Sequence, residues 1–303
     1  FIVDPGNAPF SWPLIPRGVP MVFHTDGLGW KRKKWSPLQQ RYYKWSEWVC
    51  ARLATWLVTD SRAMQEYYRA EYKAESSFIP YAGDVGAEGD KGVLEEYGLK
   101  PNDFYLAVAR MEPENNLDLI IREYRAARIK RPIAIVGGAR YPTEYTERVM
   151  AESDEQVRLL GPIYEKSALN GLYENCYAYL HGHEVGGTNP SLLRAMHAGA
   201  ACVPINVVYH HEVIGDEGTY FEKEPGHLAG VMKELDADGE RVAALGRLAS
   251  ARSDTLYRWD AVTAAYAELF QKLVLARKDK TPLPEVFSEE VYRPGEFLQT
   301  MLR

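Results

Sequence analysis

Cysteine is scarce in this 303-residue chain: Cys50, Cys176 and Cys202 stand far apart with no C-x-x-C spacing. Neither a disulfide framework nor a zinc ribbon is encoded, and a reducing compartment, the cytoplasm, is expected. Excess positive charge is also lacking, since 36 Lys and Arg face 42 Asp and Glu for a net charge of −6. A general duplex-DNA binder needs a net basic face, so no nucleic-acid partner is expected. No apolar run approaches the roughly 18 residues of a membrane-spanning helix, and no basic-then-apolar leader opens the chain. Several catalytic signatures are missing as well: G-x-S-x-G, G-x-x-x-x-G-K-[ST], a complete G-x-G-x-x-G and H-E-x-x-H. His181, His183 and Glu184 are the one metal-like grouping, but neighbouring strand positions face opposite ways and no further ligand cluster accompanies them, so no metal is expected.

What remains has the composition of a folded α/β protein. At 46% hydrophobic and 26% charged residues the chain can bury real cores, and its length suggests two domains of ordinary size. The opening Phe1-Ile2-Val3-Asp4 reads as a strand already entering a loop, so further chain upstream is expected. Strand, helix and strand then alternate: Met21 to His24, Ser36 to Thr55, Trp56 to Thr59, a helix opened by Asp60-Ser61 and running to Tyr72, and Ser77 to Pro80. From Ala82 to Gly98 glycines and acids dominate, a linker composition that places a domain boundary. A second series follows, with strands at 104–109, 132–137, 157–161, 178–181 and 201–205 and helices at 116–129, 167–174 and 190–198. Continuous apolar strands between helices predict a doubly wound sheet covered on both faces. Helix is expected again from Gly239 to Leu275, interrupted at Tyr257 to Asp260, before a charged, loosely packed tail.

The segment His181-Gly182-His183-Glu184-Val185-Gly186-Gly187-Thr188-Asn189-Pro190-Ser191 is the most informative. A strand ends, a glycine pair lets backbone approach closely, and Asn189-Pro190 supplies an N-cap with proline at the first helical position. Such a helix start beyond a strand's carboxyl end suits an anion, phosphate above all; an ordinary capped helix is the competing reading. Arg110, at the end of the strand over 104–109, is placed to clamp a diphosphate bidentately, or else to form a surface salt bridge. His24 ends an inner strand two residues before Asp26 in a glycine-bearing loop, a second site candidate. Lys31, Arg32, Lys33 and Lys34, flanked by Trp30 and Trp35, form either a membrane-facing patch or a solvated loop.

Taken in order, Asn7-Ala8-Pro9-Phe10, Asp26-Gly27-Leu28, Trp30-Lys31-Arg32, Lys34-Trp35, Ser46-Glu47, Asp60-Ser61, Ile79-Pro80-Tyr81, Pro113-Glu114-Asn115-Asn116 and Gly186 to Leu193 resemble glycosyltransferase family 4. Within that family the likeness is to a bacterial rhamnosyltransferase-like subgroup, and it extends to about residue 272. The resemblance implies the GT-B fold: two facing Rossmann-like doubly wound domains, the N-terminal one incomplete in this chain. Residues 1–82 would be the acceptor-side domain, 83–250 the donor domain, 251–275 a helix crossing back, and 276–303 the tail. It implies retaining transfer of a hexosyl unit without metal or cofactor. The donor would be thymidine diphosphate-rhamnose or a UDP-sugar, and the acceptor a surface glycan or lipid-linked glycan at the inner face of the plasma membrane. Arg110, His24 and Asp26 become the catalytic candidates. Gly186, Gly187, Thr188, Asn189, Ser191, Arg194, Asn115 and His183 become nucleotide-sugar contacts. Two departures stand out. The family's glutamate pair, eight residues apart, maps to Gly186 and Arg194, and Arg194 accepts no hydrogen bond from a ribose hydroxyl. Gly29 stands where the subgroup has an acid. A non-catalytic nucleotide-sugar or glycan binder and a sugar-nucleotide epimerase are the rival readings.

Overall fold

The computed structural model describes residues 1–83, 86, 88–139, 141–287 and 289–294. Strands in chain order are β1 (Ile2–Val3), β2 (Val22–Thr25), β3 (Trp56–Thr59), β4 (Ser76–Phe78), β5 (Tyr105–Val108), β6 (Ile133–Val136), β7 (Val157–Gly161), β8 (Ala178–His181) and β9 (Cys202–Pro204). The helices are α1 (Pro37–Leu53), α2 (Arg62–Tyr72), α3 (Gly92–Glu96), α4 (Leu117–Ala127), α5 (Glu144–Ala151), α6 (Lys166–Asn175), α7 (Pro190–His197), α8 (Val208–Ile214), α9 (His227–Ala237), α10 (Gly239–Leu256), α11 (Trp259–Asp279) and α12 (Leu283–Val286). Two compact units result: residues 1–82, 185–189 and 255–303 form the first, and residues 83–184 and 190–254 the second.

The first unit holds a parallel sheet in the order β1-β2-β3-β4. Alternate residues of its strands feed two cores, as a period of two requires. Phe23 and Leu57 pack with Cys50 of α1 and Met64 and Tyr68 of α2. Val22, Trp56 and Val58 pack on the opposite face with Ala261, Val262, Ala265, Leu269 and Leu273 of α11. Helix α1 starts where Ser36 and Gln39 exchange side-chain-to-backbone hydrogen bonds with Pro37 at the first helical position, which satisfies two otherwise orphaned N–H groups. A 3-10 segment, Pro5–Arg17, runs through Pro9, Pro13 and Pro16. The tail is less loose than its composition suggests: Val291 and Tyr292 are buried and Phe287 stacks on Trp56 at 4.4 Å between ring centroids.

The second unit is a five-stranded parallel sheet ordered β7-β6-β5-β8-β9. Its central strands are buried almost throughout, which is why they read as unbroken apolar runs. The linker expected from Ala82 to Gly98 carries structure: α3 lies in it with Val93 and Leu94 buried. Gly83 leaves no space for a side chain, a Cβ there falling 2.5 Å from the Leu193 carbonyl oxygen. Asp84, Val85 and Ala87 lie outside the described residues. The strand expected from Ser77 runs instead from Ser76 to Phe78.

Candidate functional site

In the second unit the chain leaves β5 toward β6 and returns to pair β8 on the other side of β5. Strand order reverses between β5 and β8, and in open parallel sheets ligands bind beyond the carboxyl ends at such a point. Polar side chains tie the loops there together. The Asn115 amide donates to the Arg110 carbonyl at 2.8 Å, and the Asn116 amide donates to the Gly182 carbonyl at 2.7 Å. The Glu184 N–H donates to the Glu114 carbonyl at 3.0 Å. Asn116 takes a left-handed backbone with φ 53°, a conformation asparagine tolerates better than most residues. Arg110 is exposed on this framework, and among the described residues its guanidinium has neither an ion pair nor a hydrogen bond.

His183 stacks on His181 with ring centroids 4.3 Å apart, so these two side chains share one face. His181 also meets His210 edge-on at 5.0 Å. The Tyr179 hydroxyl contacts His181 Nδ1 at 3.0 Å and donates to Ser191 Oγ at 3.2 Å, which fixes Ser191 at the head of α7. Burial, with two neighbouring imidazoles, pushes His181 well below the usual histidine range, and burial takes His210 down to about 4. Both are neutral at physiological pH. Among the described residues no group of three His, Cys, Asp or Glu side chains is arranged to hold a metal ion.

Arg194 is turned to α6. Its Nε donates to Asn170 Oδ1 at 2.6 Å and its Nη2 to the Lys166 carbonyl at 2.7 Å. An amide and a carbonyl thus hold the guanidinium. The guanidinium edges a hollow shared with Glu88, Glu174 and His197.

The loop from Val185 to Asn189 groups with the first unit. There the Thr188 hydroxyl donates to the Asp60 carbonyl. A Cβ on Gly187 would fall 1.9 Å from the Asp60 carboxylate, and one on Gly27 would fall 2.7 Å from Gly186 Cα. Both glycines are therefore required by close backbone approach. Among the described residues the N–H groups of Gly187 and Thr188 donate no hydrogen bond.

His24 lies within β2, which runs one residue further to Thr25 than expected; it is 3% exposed, beside the ring of Tyr81 at 5.4 Å. Its Nδ1 has no hydrogen-bond partner among the described residues, and burial lowers its pKa to about 4. Asp26 opens onto a separate small hollow with Asp4, Gly29, Arg32, Tyr43 and Glu47. Glu47 is 1% exposed; its Oε2 accepts from the hydroxyls of Tyr67 and Tyr72, both at 2.9 Å. Burial raises the pKa of Glu47 and of Asp4. Asp4, Tyr43 and Glu47 were not legible as site residues, although Glu47 is the single acid in α1, a signal in hindsight. The Gly29 departure has a steric cause, because a Cβ there would lie 2.9 Å from the Tyr43 ring, itself stacked on Trp35 at 5.3 Å.

Residues 103–238 match the family model for glycosyl transferases group 1, and residues 17–84 match a domain of unknown function, DUF1972. The serotype-specific mannosyltransferase WbdA of Escherichia coli is 30% identical over 148 residues, 46% of this chain and 18% of that relative. The match therefore spans under a fifth of the relative's length. Among solved structures, sucrose-phosphate synthase from Thermosynechococcus elongatus superposes with TM-score 0.78 at 17% identity, covering 90% of this chain and 73% of its own. Anabaena HepE in complex with UDP and glucose gives TM-score 0.74 at 17% identity, covering 88% and 74%. The fold is the α/β GT-B type, with two Rossmann-like units. The group 1 match supports a glycosyltransferase.

Proposed function

We propose that the chain transfers a hexosyl unit from a nucleoside diphosphate sugar to a bacterial surface glycan, with retention of anomeric configuration and without metal. Rhamnosyl from thymidine diphosphate-rhamnose is the preferred donor reading. A UDP-sugar is the alternative supported by the HepE complex, and the WbdA relative keeps mannosyl in play. The acceptor is a glycan or a lipid-diphosphate-linked glycan, reached from the cytoplasm at the inner face of the plasma membrane, where Lys31, Arg32, Lys33 and Lys34 meet anionic headgroups.

The observation that carries this reading is Arg110, exposed and without an ion pair at the strand-order reversal of the second unit. Breaking the anomeric bond throws negative charge onto the departing diphosphate. Arg110 and the head of α7 at Ser191 stabilise that charge as it develops. Asn115 braces Arg110 through its backbone, and Gly186, Asn189 and His183 complete the donor contacts. The departing phosphate takes the acceptor proton while His24 and Asp26 position sugar and acceptor. Arg110→Ala is expected to lower turnover by about a hundredfold in a sugar-transfer assay; an unchanged rate removes Arg110 from the site.

A second reading is favoured by Arg194, held on α6 where the family carries a ribose-binding glutamate. On that reading the chain binds nucleotide sugar or glycan without transfer. Wild-type chain that binds thymidine or uridine diphosphate yet transfers no sugar from either donor would select it.

A further inference from the structure

We infer that the small hollow bounded by Asp4, Asp26, Arg32, Trp35, Tyr43 and Glu47 in the first unit takes a pair of hydroxyl groups from the edge of a sugar ring, that of the acceptor. Naming that sugar the acceptor rests on the proposed transfer reaction; the match of hydroxyls to the hollow does not. Asp4 directly follows β1 and Asp26 directly follows β2, so the hollow lies beyond the carboxyl ends of two parallel strands, where such sheets take ligands. Glu47 carries the argument. Its Oε2 accepts from the Tyr67 and Tyr72 hydroxyls, whereas its Oε1 has no hydrogen-bond partner among the described residues, although Glu47 is 1% exposed. Tyr67 and Tyr72 do not line the hollow, so Oε1 is the oxygen turned to it. A buried acceptor left without a donor is costly.

The donor and acceptor inventory selects the ligand. Trp35 Nε1 is a donor likewise without a partner among the described residues, and Arg32 adds its guanidinium. A phosphate would offer these groups acceptors only and an ammonium donors only, whereas a hydroxyl does both. Three carboxylates facing the guanidinium of Arg32 also disfavour an anion. Burial holds Asp4 and Glu47 above the ordinary carboxyl value, the condition of carboxylates short of donors. The space of about 30 Å³ admits two water-sized groups at roughly 10–15 Å³ each, so the edge of a sugar ring enters and the rest stays outside. Trp35, stacked on Tyr43 at 5.3 Å, offers the C–H groups of that ring an apolar wall.

The test is a saturation-transfer NMR titration of the 303-residue chain with methyl glucoside, methyl galactoside and methyl rhamnoside, against 2-methoxytetrahydropyran, the same ring without its hydroxyls. At least one glycoside is expected to bind saturably and the hydroxyl-free ring not to bind, because a site built for hydroxyls rejects the analogue that lacks them. Glu47→Gln keeps an acceptor for the two tyrosines and replaces the bare one with an amide; it is expected to weaken glycoside binding about tenfold. Asp26→Asn is expected to do the same, and since Asp26 is only half-buried and makes no hydrogen bond among the described residues, its melting temperature should match wild type. Wild-type chain that binds no glycoside, a hydroxyl-free ring that binds equally well, or an Asp26→Asn variant that binds as tightly as wild type overturns the inference. Titration of the same samples with thymidine and uridine diphosphates keeps the two readings apart. Failure of both nucleotides to bind wild type strikes the transfer reaction, whereas saturable glycoside binding lost in the variants upholds the hollow in either case.

Discussion

Gly187 has the Asp60 carboxylate where any side chain would begin. Gly187→Ala is expected to cost at least about 2 kcal/mol through overpacking and to abolish nucleotide binding, measured by thermal melts and calorimetry. An alanine variant as stable as wild type would show that the loop yields. Arg194 stands apart from that loop, tied to Asn170 and Lys166. Arg194→Met removes both hydrogen bonds and is expected to lower stability by about 1–3 kcal/mol, read as a drop in denaturant midpoint. Residues of this kind differ in legibility. Arg110 could be picked out because a cation at a strand end is visible in one dimension. Tyr43 and Glu47 could not, because they serve a hollow also lined by Asp4 and Asp26, and helical spacing alone does not tell an inward acid from a solvated one.

Among the elements, those with a clean period were readable. The apolar runs of β5, β6 and β8 and the three-to-four spacing of α4 and α11 each report a single buried face. The 3-10 segment Pro5–Arg17 was not, since its three interior prolines erase helical periodicity while the chain still turns. Helix α9 was missed for a different reason: its start is fixed from outside. Glu123 of α4, 2% exposed, accepts from the N–H groups of Gly226 at 2.8 Å and Ala229 at 3.3 Å, a carboxylate cap supplied a hundred residues away in sequence. Glu123→Ala leaves those donors without a partner and is expected to cost about 2–4 kcal/mol. Hydrogen exchange localised to the first turn of α9 would check it, and unchanged protection there would contradict the cap.

For the molecule as a whole, buried neutral histidines set the acid response. His24 in the first unit and His210 in the second are each lowered by burial from 6.5 to about 4, and His181 is lowered further by its neighbours. The unfolded chain binds protons at these sites first, so stability is complete above about pH 6.5 and falls as pH drops toward 4, by about 1.4 kcal/mol per pH unit for each fully coupled group. Asp4 and Glu47, raised by burial, work in the opposite sense: the folded chain takes up their protons first as pH falls through their raised pKa values, which offsets part of that loss. Melting temperature should therefore decline from pH 7 to pH 5; a flat profile would contradict neutral burial of the histidines. The two-unit α/β plan was legible because the alternation of strands and helices repeats, whereas the grouping of Val185–Asn189 with the first unit depends on contacts that no local pattern records. The central claim, that Arg110 and the head of α7 receive a nucleoside diphosphate, is tested most directly by calorimetric titration of wild type and Arg110→Ala with thymidine and uridine diphosphates. Saturable binding of at least one nucleotide by wild type, weakened about tenfold or more in the variant, is the predicted result; no binding, or equal affinity in both proteins, would contradict it.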